Sequence, residues 1–182
     1  MTIKTRATVA DLYAVEGKAE LVDGELVPMC PTGVNPKFAG DAILVSLWSY
    51  AEKTGTGRAV GDNGGFVAQL PNRESFSPDA AFYQDSPNTM KFFANPPAFA
   101  AEVRSENDYG RKAESKMAAK RADYFAAGTL VVWDVDLESA DVVRVYRADN
   151  PTQPTIYRRD NVAEAEPAVP GWTMAVDKLF ST

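Results

Sequence analysis

The feature that most limits the fold is an apolar strand with a charge inside it. In "FAAEVRSENDYGRK", residues 99–112, Phe99, Ala100, Ala101 and Val103 read as a buried strand, yet Glu102 lies among them and Arg104 follows. A carboxylate buried in apolar surroundings is costly unless it has a partner or a metal ion. The next segment predicts a helix that starts at Asn107 or Asp108, runs to Ala127 and stops at Gly128, a residue suited to the left-handed backbone past a helix end. "TLVVWDVDL" and "DVVRVYRA" then read as two strands joined by the short loop "ESAD", and "TIYRRD" as one more.

Upstream, Thr8 followed by Asp11 predicts an N-cap for a short helix over 8–15. "AELVDGELVPM" reads as two short strands around an Asp23-Gly24 turn. "CPTGVNP" reads as a loop. From Lys37 to Lys53, Phe38, Ile43, Leu44, Leu47 and Trp48 recur at helical spacing. "RAVGDNGGFVAQL" suggests strands with a Gly-Gly bend, and "DAAFY" a short strand after Pro78. Trp48 and Trp133 have apolar neighbours and are expected in the core; Phe92-Phe93, in a loop beside Lys91, leaves a base-stacking role open. The tail "VPGWTMAVDKLF" is expected to dock on the domain. The predicted fold is α/β (α+β): one domain over residues 1–182, a mixed central β-sheet flanked by helices, and an N-terminal hairpin.

Composition narrows the chemistry. With 182 residues, 45% hydrophobic, the chain is long enough for one sizeable core. It lacks an apolar run of about 18 residues and a signal-peptide h-region, which predicts no membrane span and a cytoplasmic location. Cys30 is the sole cysteine, and there is no histidine, which excludes an internal disulfide, His-based triads and His-ligated zinc. A net charge of -6 argues against a broad basic DNA footprint but is compatible with a local basic cleft, and it suits an acidic cluster holding a divalent cation.

Asp79 opens "DAAFY", and two neighbouring strands can bring it to Glu102 at one sheet edge. Two such carboxylates, with waters and substrate phosphate oxygens, are what Mg²⁺ prefers. On spacing alone the plainer reading is equally good: Asp79 ends a strand and Glu102 pairs with a lysine. Arg104 lies at i+2 from Glu102, hence on the same strand face, and its guanidinium suits a phosphate; an ion-paired arginine is the simpler account. Lys112, Lys116, Lys120 and Tyr124 recur every four residues along one helix face. One of these lysines can reach the acidic site; the others are expected to be solvated. Glu20 is a third carboxylate, from the hairpin.

Taken in order, "ELVDGELVPMCP", "SPDAAFY", "AEVRS", "KRADYFAAGTLVVWDVD" and "PGWTMAVDKLF" resemble the Uma-type family of predicted restriction endonucleases, within the PD-(D/E)XK nuclease superfamily. The resemblance spans nearly the whole chain. It implies a restriction-endonuclease-like core and a metal site at the sheet edge. Pro78-Asp79 matches the family's PD and Glu102 the acidic residue of its "EV.S" strand. Lys120 matches a lysine moved from that strand to the following helix, and Glu20 matches the Glu of "ELVDGE". Two positions depart from the pattern: the family often carries a histidine near "PTGVNPKF", and an apolar residue where Arg104 stands.

The resemblance implies a Mg²⁺- or Mn²⁺-dependent DNA endonuclease. Asp79 and Glu102 would bind the metal, Lys120 and Glu20 would complete the catalytic set, and Arg104 and Lys116 would contact substrate. Cutting both strands often uses two active sites, so a homodimer is compatible with this expectation. The competing expectation is a catalytically inactive module of the same fold that binds protein or nucleic acid.

Overall fold

The computed structural model describes residues 6–85 and 87–180. In chain order the elements are α1 (Val9–Tyr13), β1 (Ala19–Val22), β2 (Glu25–Pro28), α2 (Val34–Thr54), β3 (Arg58–Gly61), β4 (Phe66–Val67), β5 (Ser75–Phe76), β6 (Ala80–Tyr83), β7 (Phe99–Val103), α3 (Arg111–Ala127), β8 (Val131–Val135), β9 (Val143–Arg147), β10 (Asn150–Tyr157), β11 (Val162–Glu164), β12 (Thr173–Ala175) and a 3₁₀ turn, Val176–Leu179. None of the described helices is long and apolar enough to cross a membrane.

Six strands form the central sheet in the order β10-β9-β8-β7-β6-β3. Only β7 and β8 run parallel; the other neighbours are antiparallel. A parallel pair needs a crossover, and α3 supplies it. The sheet is therefore mixed, with α2 on one face and α3 on the other.

The two faces divide β7 residue by residue. Phe99, Ala101 and Val103 join the core beneath α2 with Ala39, Ile43, Leu47 and Trp133, while Ala100 faces the α3 side with Tyr124, Phe76 and Val132. Strand alternation then puts Glu102 on the α3 side too. The tail closes the α2 side. Trp172 sits against Phe99 and Trp133, with ring centroids 5.6 and 5.1 Å away. Its indole N–H donates to Ser46 Oγ at 3.0 Å, and Tyr50 on α2 donates to the Pro170 carbonyl at 2.8 Å.

Local chemistry explains most boundaries. Thr8 and Asp11 form a capping box at α1, each satisfying the other's backbone N–H. Asp23 and Gly24 have φ of 53° and 71°, the paired left-handed residues of a type I′ hairpin turn between β1 and β2.

Three expectations need correction. The helix expected from Lys37 begins at Val34, because Pro36 falls in its first turn, where no intrahelical N–H is required. The following helix begins at Arg111 after Gly110, since Asp108 instead accepts hydrogen bonds from the Ser105 amide (2.8 Å) and hydroxyl (2.7 Å), closing a separate turn. Trp133 is wholly buried, as its neighbours suggest, but Trp48 is 55% exposed. Trp48 has apolar neighbours in sequence yet points away from the face of α2 that carries Ile43 and Leu47. As for the loop aromatics, Phe92 stacks on Tyr13, their centroids 3.9 Å apart, and Phe93 stacks on Phe66 at 4.7 Å.

Candidate functional site

The candidate site is built where β6 and β7 end beside the hairpin. Ala80 pairs with Ala101 and Ala81 with Ala100, so one further step of the antiparallel register sets Asp79 opposite Glu102. The Asp79 amide donates to the Ala101 carbonyl at 3.1 Å, and Asp79 Oδ2 accepts from the Val103 amide at 2.8 Å. Backbone pairing thus anchors the aspartate next to Glu102.

Glu20 arrives from outside the central sheet. The β1 strand lies along residues 73–77: the Leu21 amide donates to Ser75 Oγ at 2.7 Å, and the Glu74 amide to the Leu21 carbonyl at 2.9 Å. That docking buries Glu20, which accepts from the Ser77 amide at 2.9 Å and pairs with Arg73 at 2.7 Å.

Lys120 of α3 joins the two glutamates. Its ammonium lies 2.9 Å from Glu20 Oε1, and 2.8 and 2.9 Å from the two oxygens of Glu102. One turn later on the same face, the Tyr124 hydroxyl donates to Glu102 Oε1 at 2.6 Å. Glu20, Glu102 and Lys120 therefore form a contiguous cluster, and Asp79 stands beside Glu102 through the strand register.

Lys18 and Arg73 belong to this site, though sequence reasoning missed them. Lys18 bridges Asp79 Oδ1 (3.2 Å) and Asp62 (2.6 Å). Its signal was available, because it precedes Glu20 by two residues and extended backbone gives such pairs one face. Arg73 spans Glu20 and Asp123, the latter at 2.8 Å, with its guanidinium 5.2 Å from the Phe76 ring centroid. Nothing local marks Arg73, since its loop acquires this role only by docking on the hairpin.

The two remaining sequence-named residues lie outside the cluster. Lys116 is exposed on α3, one turn before Lys120. Arg104, expected at a phosphate, is 6% exposed and turned elsewhere. It makes a bidentate pair with Asp134 at 2.8 and 2.9 Å and also pairs with Glu114. The cause lies in β8: Asp134 pairs with Glu102 in register and is 1% exposed, so it needs cations, and Arg121 supplies a second at 3.1 Å. Arg104 thus pins α3 to the sheet. Glu114, half-exposed on α3, is the outer end of that tie.

Charge is finely divided within the cluster. For Glu20, burial alone would raise the pKa, but Lys120, then Arg73 and the Ser77 amide, hold it below the ordinary value. For Glu102 the balance is reversed. Burial, supported by the charges of Asp79 and Glu20, raises its pKa despite Lys120. Lys120 has its pKa raised: burial opposes this, but the two glutamates outweigh it. Its ammonium is therefore charged at neutral pH and cannot serve as a base. Lys18 is raised too, because Asp79 and Asp62 outweigh its burial.

These groups fit a divalent cation. Asp79 and Glu102 offer hard oxygen donors, and the charges of Asp79 and Glu20 already disfavour a further anion at Glu102. Among the described residues no cluster of three or more metal-ligating side chains is preformed. A Mg²⁺ site of one or two carboxylates completed by water and phosphate oxygens does not require one. Beside Asp79 a shallow open cleft is lined by Thr32, Pro36, Lys37, Gly40, Asp41 and Asp62.

Comparison with known proteins agrees with this architecture. A solved structure described as a "putative nuclease belonging to DUF820", from Anabaena variabilis ATCC 29413, superposes with a TM-score of 0.74 at 16% sequence identity, covering 95% of this chain and 97% of that one. At that identity the likeness shows a shared fold. No curated protein matches the sequence. The profile of the Uma2 family, described as "Putative restriction endonuclease", matches residues 9–177. That match spans nearly all of the chain, which therefore belongs to the Uma2 family.

Proposed function

We propose that the protein is a DNA endonuclease of the cytoplasm that hydrolyses phosphodiester bonds with Mg²⁺ or Mn²⁺. The observation that carries this reading is the convergence of Asp79, Glu102, Glu20 and a charged Lys120 where the interior strands β6 and β7 end, with Asp79 lining a shallow cleft. Family membership supports the nuclease class, and the donor set supports a hard divalent cation. Asp79 and Glu102 would hold the ion. When bound, it polarises the scissile phosphate and lowers the pKa of an attacking water.

The side chains have distinct tasks. Lys120 stabilises negative charge developing on the phosphate and orients the water by donating a hydrogen bond. Glu20, held anionic by Lys120 and Arg73 together, keeps Lys120 aimed at the site. Tyr124 fixes the Glu102 carboxylate through its hydroxyl. Lys116, with Lys112 beyond it on α3, extends a row of positive charge outward, where it suits the DNA backbone. Arg104 is assigned to holding α3 in place rather than to substrate.

The test is a plasmid cleavage assay with Mg²⁺ and with Mn²⁺, on the parent and on Asp79→Asn and Glu102→Gln. Circular dichroism confirms that each variant is folded. Cleavage by the parent and its loss in both folded variants is the expected result. Equal cutting by all three would refute the site, and a parent that binds neither ion and cuts nothing would favour the non-catalytic binding module.

A further inference from the structure

The outer face of α2 carries an apolar stripe that nothing among the described residues covers. Val34, Phe38, Val45 and Trp48 are 84%, 42%, 64% and 55% exposed. With Asp41 and Glu52 they occupy positions 34, 38, 41, 45, 48 and 52, alternating steps of four and three. That is the spacing of a coiled-coil seam. The opposite face of the helix is occupied, with Ala39, Ile43 and Leu47 in the core. A helix apolar on both faces is made to be covered on both, and a large aromatic on the outer one marks a contact surface.

We infer that this stripe is the seam of a homodimer in which α2 packs antiparallel against α2 of a second copy. The pattern is self-complementary in that direction. A two-fold axis near residue 43 sets Phe38 opposite Trp48 of the other copy, Asp41 opposite Val45, and Val34 opposite Glu52. Charge selects the same direction. A parallel pair would align Asp41 with Asp41 and Glu52 with Glu52, two like-charge contacts. The antiparallel pair separates them and carries Glu52 toward Lys37 of the other copy, whose own partner is the exposed Asp41. The helix dipoles also oppose, which is favourable. A 21-residue helix is about 30 Å long, so the seam is at the small end of specific interfaces and the dimer dissociates on dilution.

The seam also borders the candidate site. Gly40 packs against Asp79, with an added Cβ meeting Asp79 Cβ at 3.5 Å, and Asp41 lies on both the seam and the cleft rim. Dimerisation through α2 therefore sets two clefts symmetrically about one axis. The dimer itself does not depend on the nuclease reading.

Sedimentation equilibrium over a concentration series, without DNA or metal, tests the proposal. The parent is expected to show a monomer–dimer equilibrium. Trp48→Glu and Val45→Asp, both at exposed positions and shown to be folded by thermal denaturation, should weaken it at least about tenfold, as expected for residues at the centre of a contact. In a Cys30→Ser background, Val34→Cys mixed with Glu52→Cys should form an intermolecular disulfide that neither forms alone. A parent that stays monomeric at every concentration would overturn the proposal. So would undiminished dimerisation of the Trp48 and Val45 variants, or cross-linking of each cysteine variant with itself alone.

Discussion

Replacing Lys120 with methionine removes the charge that joins Glu20 to Glu102 but keeps a stem long enough to fill the space beside Tyr124. Three contacts of 2.8 to 2.9 Å are lost. Glu20 retains Arg73 and the Ser77 amide, whereas Glu102 keeps only the Tyr124 hydroxyl among its described hydrogen bonds and still faces two like charges. Breaking a buried pair from one side costs about 3–5 kcal/mol. The Lys120 and Glu102 side chains remain 16% and 19% exposed, so water screens part of the loss and the low end, about 3 kcal/mol, applies at pH 8.

The pH dependence carries the sharper signal. The folded-state pKa of Glu102 is already above its ordinary 4.5, through burial and the neighbouring carboxylates, so its contribution to stability is fully present below pH 4.5 and is lost as pH rises through the folded value. Without Lys120 that value rises further. The penalty of the substitution, variant minus parent, should therefore be large at pH 8 and smaller toward pH 5, in the direction in which a raised Glu102 pKa favours the protonated form. Urea unfolding followed by tryptophan fluorescence at both pH values measures it. No loss at pH 8, or the same loss at both, would show that Lys120 does not balance the charge of Glu102.

Three further outcomes follow from the same contacts. Lys18→Met should tighten Mn²⁺ binding about tenfold by calorimetry, because a charge-assisted hydrogen bond worth about 1.5 kcal/mol no longer competes for Asp79; unchanged affinity would remove Lys18 from the site. Arg104→Met should cost about 3 kcal/mol in thermal or urea unfolding, by leaving the buried Asp134 with Arg121 alone, while cation affinity stays at the parental value. Gly40→Ala should stabilise the protein by about 0.5–1 kcal/mol, since its backbone is helical and the new Cβ meets Asp79 only at van der Waals distance; a fall in melting temperature would mean that the contact is tighter than 3.5 Å.

The sequence carried the elements with strong local chemistry: the Thr8–Asp11 cap, the Asp23-Gly24 turn, the strand–helix–strand run from "FAAEV" to "VVWDV" and the buried Trp133. It also named Glu20, Asp79, Glu102 and Lys120, though only the family pattern singled out Lys120 from a row of equally spaced lysines. What it could not carry depends on tertiary docking. Arg73 gains one partner from the hairpin and another from α3, each some 50 residues away in sequence. Arg104 is recruited by Asp134, a residue of the neighbouring strand "TLVVWDVDL" to which the sequence reading gave no role. Trp48 sits in an apolar helix stretch, and only the direction of the core shows that it faces outward.

The way residues 168–180 close the domain bears on how the protein is made. Trp172, Met174, Val176 and Leu179 line the same core as α2, and the Trp172–Ser46 bond joins positions 126 apart. A ribosome delivers the hairpin, α2, β6, β7 and α3 well before those residues. Until they emerge, α2 has β3, β6 and β7 beneath it but lacks the apolar side chains that Trp172, Met174, Val176 and Leu179 add to the same core, and with them part of the support for the helix that presses Gly40 against Asp79. The nascent chain is thus expected to carry every acidic and basic group of the candidate site while lacking the wedge that seats them. Cation affinity should appear late in synthesis, and ribosome-bound chains stalled so that residue 167 has just left the exit tunnel should bind Mn²⁺ far more weakly than chains released at full length. Equal binding by the two would show that α2 seats itself without the tail.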